Sequence, residues 1–404
     1  MARSVDNDLL YIDSSFMNKT DTVGLSPTMQ KYIDKKMLAL AETKFVHQQF
    51  GQKRPIPRNQ GKTVVFRKYN LFNVDTKTLK LTEGVTPDAQ LLSQTSIEAT
   101  VEQYGAYVVI TDLLDLTALD PLISDAAKLL GEQLGTLIDW LTRDAMLAGA
   151  SVQYAGGNSD ELSLDASDVM TIAEVRQAVK TLKKAKARPF GDGTFVCIVD
   201  PDVEYDLMND TLWKDLAVHA DPKRMVRGEI GTLFGVKFVE STEGKIGMPS
   251  VQGSVNADTS ASTTFVIKEY ASLSEEAIEY LSTATNKLNI NGNEHTIASY
   301  AEATGTVTLS SAASLTAGQK VFSLDAGAII GGSPLPIHHS LVFGDESYGV
   351  IDVAGSGAIK SIIERAGGVS DPLHQRNTVA GKVMGYVAKV LNSNWIIDIM
   401  SAAS

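Results

Sequence analysis

Lys62-Thr63-Val64-Val65-Phe66-Arg67-Lys68-Tyr69 and Ile97-Glu98-Ala99-Thr100-Val101-Glu102 both alternate in polarity, residue by residue. A period of two places apolar side chains on one face, so each stretch is predicted to be a half-buried strand. The polar stretch from Val74 to Pro87 lies between them. A connection of about 25 residues is far longer than the usual hairpin loop of about 2–5. Residues 62–111 therefore read as an extended ribbon whose connecting loop is too polar to be core. Gly105 interrupts the alternation further on and is expected to mark a bulge.

Upstream, residues 1–60 do not read as a compact domain. Asp21 to Pro27 is turn-rich, and Gln30 to Phe50 is predicted helical because Ile33, Met37, Leu40 and Phe45 recur at nearly helical spacing. Pro55 and Pro57 then favour an extended segment. The whole reads as an arm that becomes ordered on other surfaces.

Downstream, Asp120-Pro121 marks a helix start, since Asp accepts from free N–H groups and Pro suits the first helical position. Ala126, Leu130, Leu134, Leu137, Leu141 and Ala145 follow at steps of three and four, and Gly149 is a stop. Such a helix is a rod of about 40 Å. Thr171 and Glu174 have capping-box spacing ahead of a second helix, with the stripe Val175, Val179, Leu182 and Ala185. Phe195 to Val199 reads as a buried strand, Asp200-Pro201 opens a short helix through Leu207, and residues 228–241 turn into another strand. This alternation indicates an α+β core. Residues 248–264 are rich in small polar residues; a strand at Phe265 to Tyr270 and a helix at Glu275 to Leu281 follow. Residues 284–335 read as a small β insertion. Denser patterning resumes at His339, and Trp395 to Met400 is a strand.

Composition narrows the class. The 404 residues are 44% hydrophobic and 21% charged, as in folded soluble proteins. No apolar run approaches the roughly 18 residues of a membrane span. The first ten residues lack the features of a secretory signal, so cytoplasmic synthesis is expected. The single cysteine, Cys197, rules out an internal disulfide and reads as a small buried hydrophobe. A formal net charge of −12 argues against a protein whose task is gripping phosphates.

Catalytic signatures are missing: there is no phosphate loop, His-Glu-x-x-His, Gly-x-Ser-x-Gly or dinucleotide fingerprint. The six histidines are scattered apart from His338-His339, and neighbours on a strand point to opposite faces. Asp200, Asp202, Glu204 and Asp206 form the densest carboxylate set. A cation site is conceivable there, but helix capping by Asp200, dipole compensation by Asp202 and Glu204, and an Asp206 facing water explain the set more simply. Lys180, Lys183, Lys184, Lys186 and Arg188 read as a solvated helix end, with an intersubunit or DNA contact as the other reading. Arg54, Arg58, Lys62, Arg67 and Lys68 cluster on the arm and at the ribbon base, where a neighbour's acidic surface can dock. No metal, cofactor or catalytic residue is assigned.

Several stretches together resemble the major capsid proteins of tailed phages, in a podovirus-like group. They are Gly61 to Arg67, Leu81-Thr82-Glu83-Gly84-Val85-Thr86-Pro87, Gln103 to Tyr107, Ile110-Thr111-Asp112, Arg143-Asp144, Pro189 to Gly193, Asp200-Pro201, Gly228 to Gly231 and Ser370 to Leu373. Their order and spacing over residues 45–241 and 341–398 carry the resemblance. It implies the tailed-phage coat fold of the Hong Kong 97 type. Residues 1–60 would be the N-terminal arm and 61–111 the extended loop. Residues 112–167 would be the peripheral domain with its spine helix, and 168–247 the axial domain. Residues 248–340 would be a β-rich insertion or axial extension, 341–377 axial domain again, and 378–404 a strand returning to the peripheral domain.

The same resemblance implies a structural, non-enzymatic subunit that forms hexamers and pentamers and closes an icosahedral shell around dsDNA. Scaffolding, portal and decoration proteins are the expected partners, without a membrane, in a virion assembled in the bacterial cytoplasm. Arg54, Arg58, Lys62, Arg67, Lys68, Lys77, Lys80, Leu81 and Glu83 are the expected intersubunit contacts. The rival readings are a nanocompartment shell protein, a cytoplasmic metal-dependent enzyme with an acidic site, and a virion decoration protein.

Overall fold

The computed structural model describes residues 37–41, 44–55, 62–69, 72, 79–81, 83, 89–117, 122–214, 231–325, 328–330, 333–351, 359–365 and 375–403. Its centre is a seven-stranded mixed sheet. The strand order is Ser151–Tyr154, Ile396–Ser401, Ile337–Phe343, Phe195–Val199, Val236–Glu240 and Thr232–Leu233, with Ile246–Gly247 paired beside Ile337. Phe195–Val199 is buried at every position. Phe195, Cys197 and Val199 face a core shared with the helices Ile172–Lys184 and Pro201–Asn209, while Val196 and Ile198 face the core of the long helix. A strand covered on both faces has no polar face to show, hence its unbroken apolar run.

The long helix runs over Leu122–Gly149. It packs under a three-stranded antiparallel sheet of Ile359–Arg365, Arg376–Tyr386 and Glu102–Thr111. Its buried face is Ala127, Leu130, Gly131, Leu134, Gly135, Ile138, Asp139, Thr142 and Met146. The predicted stripe is therefore turned by about one residue: Ala126, Leu137, Leu141 and Ala145 are only half-buried. Backbone approach decides this. A Cβ at Gly131 would lie 3.0 Å from the carbonyl oxygen of Met37, and one at Gly135 would lie 2.7 Å from that of Ala41. The two glycines form a bed for the helical segment 37–41.

The expected helix through Phe50 does not persist. The chain turns at 44–47 and forms a single 3-10 turn at Gln48–Phe50. Gln52–Arg54 then adds as a parallel strand to Tyr348–Ile351, whose other edge carries Ala388–Val390.

Thr63–Tyr69 and Gln94–Thr100 pair antiparallel as expected, in the register Val64↔Ala99 and Phe66↔Ile97. Gly105, however, sits in an uninterrupted ladder opposite Lys382, and the irregularity falls between Val383 and Tyr386. A Cβ at Gly105 would lie 3.0 Å from the carbonyl of Gly381, so this glycine permits close strand approach rather than a bulge.

Residues 251–323 build a separate six-stranded antiparallel sheet with the helix Glu275–Ser282. Its core includes Val251, Phe265, Leu281, Ile297 and Val307 and is distinct from the two others.

Three further expectations are corrected. The Thr171 side chain makes no capping bond; the N–H of Ile172 goes to Asp210 Oδ2 at 2.9 Å, and Glu174 accepts from Gln153 Nε2 at 2.8 Å. Asp200 does not cap its helix either, because its carboxylate is turned to His338. Asp206 is buried rather than facing water. Ile396–Ser401 pairs with both Ser151–Tyr154 and Ile337–Phe343 and places Ile396 in the core of the long helix, on which Arg376–Tyr386 also lies. Register explains the placement: Ile396–Ser401 matches Ile337–Phe343 residue for residue. Asp120-Pro121, Gly228 to Ile230 and Ser370 to Leu373 lie outside the described residues.

Candidate functional site

Two constructions stand out, one fully buried and one open. In the buried one, Asp139 on the long helix is inaccessible to solvent. Its Oδ1 accepts the backbone N–H groups of Val46 at 2.9 Å and His47 at 2.7 Å, while Oδ2 lies 2.7 Å from His47 Nδ1. The Tyr348 hydroxyl donates to the His47 carbonyl, and Gln48 Nε2 donates to that of Ile351 at 3.1 Å. Burial pushes the Tyr348 hydroxyl well above the ordinary tyrosine range. Phe50, Phe190, Phe343 and Tyr348 pack edge-to-face around this point, with ring centres 5.5–6.1 Å apart. The segment 46–50 is thus locked into the core.

The open construction is the ribbon and its base. Val64, Phe66 and Ala99 are buried, yet the ribbon and the stretches at its far end leave Tyr69 60%, Leu81 70%, Leu91 89% and Leu92 64% exposed. The three-stranded sheet beside it leaves Tyr107 71% and Val109 47% exposed, and Leu113 just beyond is 67% exposed. Isolated soluble chains rarely leave so much clustered apolar surface in water. Under the ribbon base lies a cleft of about 650 Å³. Lys68 continues the inner row of its strand after Val64 and Phe66, and its ammonium stands 5.8 Å from the centre of the Trp395 ring. Burial lowers its pKa below the ordinary lysine value. Trp395 is fixed in turn by its Nε1–H, which donates to the Ala185 carbonyl at 3.2 Å.

Residues 94–282 match a family model described as phage capsid protein. The match spans a little under half of the chain and points to the phage capsid proteins. No curated protein matches it. Among solved structures it is similar to the capsid of Ralstonia phage GP4, at 14% identity over 90% of each chain with a TM-score of 0.52. The capsid asymmetric unit of cyanophage Pam1 is similar at 12% identity, over 91% of this chain and 92% of that one, with a TM-score of 0.52. These likenesses give the fold: an α+β tailed-phage coat of the Hong Kong 97 type.

Of the expected contact residues in this coat protein, Arg54, Arg67 and Lys68 meet in the cleft. Lys62, Lys80, Leu81 and Glu83 are exposed along the ribbon and its loop. Arg58 and Lys77 lie outside the described residues. The lysine-rich helix end splits in two. Lys180, Lys183 and Lys184 line a shallow hollow beside Phe234, over which Arg176 stacks at 5.0 Å. Lys186 and Arg188 instead turn into the cleft.

His338 and His339 do point apart: Nδ1 of His338 lies 3.1 Å from Asp200 Oδ2, and Nδ1 of His339 lies 2.7 Å from Asp398 Oδ2. Asp200, Asp202 and His338 each bring one ligand-type atom within 4.8 Å of the others, a grouping the sequence separates by more than a hundred residues. Asp200 and His338 satisfy one another there. Cys197 is buried, and its thiol is pushed up by burial. The residues that sequence reasoning missed are Asp139 and Trp395. For Asp139 the signal was the i, i+4 series Gly131, Gly135, Asp139, which places small and polar groups on one helix face.

Proposed function

We propose that this capsid protein is the major shell subunit, without enzymatic activity, that closes an icosahedron of hexamers and pentamers around dsDNA. Residues 1–60 act as the arm and 61–111 as the extended loop. The long helix and its three-stranded sheet form the peripheral part, the seven-stranded sheet the axial part, and residues 251–323 an insertion. Lys62, Lys77, Lys80, Leu81 and Glu83 on the loop, with Arg54, Arg58, Arg67 and Lys68 at its base, meet neighbouring copies. Scaffolding, portal and decoration proteins act on the assembled lattice in the host cytoplasm.

The observation that carries this reading is the apolar surface at the far end of the ribbon, with Leu91 89% and Leu92 64% exposed. Covering one leucine is worth about 1.5–3 kcal/mol, and a closed lattice repeats the gain at every copy. Replacing Leu91 and Leu92 together by Ser is expected to leave the melting temperature of the free subunit unchanged. It should raise the concentration needed for shell formation by about tenfold or more. Normal shells from that variant at the wild-type concentration would remove the role given to the loop.

A further inference from the structure

Three separate parts of the chain deliver cations to the cleft under the ribbon. Arg54 comes from the arm strand, Arg67 and Lys68 from the ribbon, and Lys186 and Arg188 from the turn after the helix Ile172–Lys184. Glu346 is the single carboxylate lining it among the described residues, and Arg188 already engages that group at 3.0 Å. Lys186 stands at φ +55°, just past the helix end, where the left-handed conformation favours glycine. A lysine there carries a backbone cost that glycine would not, offset in part by its charge beside the helix C-terminus. In the cleft wall, Arg54 Nε and Gln52 Oε1 are buried without a hydrogen-bond partner among the described residues, a costly state for a polar group until a partner arrives.

We propose that this cleft receives a carboxylate-bearing segment of a second copy of this chain. The inference rests on the coat reading and adds the receptor to it. A nucleic-acid backbone fits less well, since phosphodiesters supply acceptors for the arginines but no donor for the Gln52 amide oxygen. A peptide supplies both carboxylate oxygens and N–H groups. The volume suits a few residues rather than a duplex. The donor of acid is plentiful: each copy carries 48 Asp and Glu against 36 Lys and Arg. Burial that lowers the Lys68 pKa is reversed when a carboxylate arrives.

The experiment mixes isotopically light and heavy copies, assembles them, and treats the particles with a carbodiimide, which joins an amine to a carboxylate only where the two touch. Expected are mixed light–heavy peptides linking Lys68 or Lys186 to an Asp or Glu. Lys186→Gly is the companion variant: it should keep or raise the melting temperature of the free subunit while raising the assembly concentration several-fold. Intact particles whose cleft lysines link only within one copy, or to nothing, would overturn the receptor and leave the coat reading standing. So would particles in which formaldehyde ties those lysines to DNA. A chain that forms no particles removes both.

Discussion

Asp139 lies at the middle of the long helix with no access to water. A lone carboxylate in that position is unstable, and its surroundings show how the position is held: two strong backbone N–H donors and the His47 ring converge on it. Asp139→Ala leaves all three unmet. Denaturant unfolding of the free subunit should show a loss of about 2–4 kcal/mol, and Asp139→Asn, which keeps one acceptor oxygen, a smaller one. An unchanged midpoint for Asp139→Ala would show that the arm root is not held there. Side-chain identity alone did not disclose this, because an Asp inside a helix usually faces solvent. The same limit applies to Asp200, whose place before Pro201 reads as a cap but whose carboxylate goes to His338, more than a hundred residues away.

At the scale of elements, local pattern was a sound guide wherever one face decides the structure. The ribbon strands were legible from their alternation, since each has a buried and a wet side. The long helix was legible in extent but not in rotation, because its innermost positions are glycines, which carry no hydrophobic signal. Gly131 and Gly135 set the distance to segment 37–41. Gly135→Leu is expected to displace that segment, so that limited proteolysis cuts before residue 44 at least several times faster while the rest of the subunit stays resistant. Equal cutting rates would mean the segment does not depend on this bed. The arm helix was overextended for a long-range reason: Asp139 draws the N–H groups of Val46 and His47 away from helical bonding. The cleft was half visible, as a basic run at the ribbon base. Its other wall, Lys186, Arg188 and Trp395, comes from distant parts of the chain that only the fold brings together.

At the scale of the whole molecule, three large cores and a small cluster around Leu164 hold the described residues together, and the seven-stranded sheet is shared by two of the large cores. The capsid fold was legible in the order of short stretches from the ribbon to the second helix. The partition at the C-terminus was not, because only strand register assigns Arg376–Tyr386 to the long helix and Ile396–Ser401 to the central sheet. What the molecule leaves uncovered is the apolar far end of its ribbon and the sheet beside it, and copies of the same chain are the cover we propose. Electron microscopy of the purified protein across a range of concentrations tests this most directly: it should show capsomers or closed shells of uniform curvature, and a persistent monomer at every concentration would contradict the account.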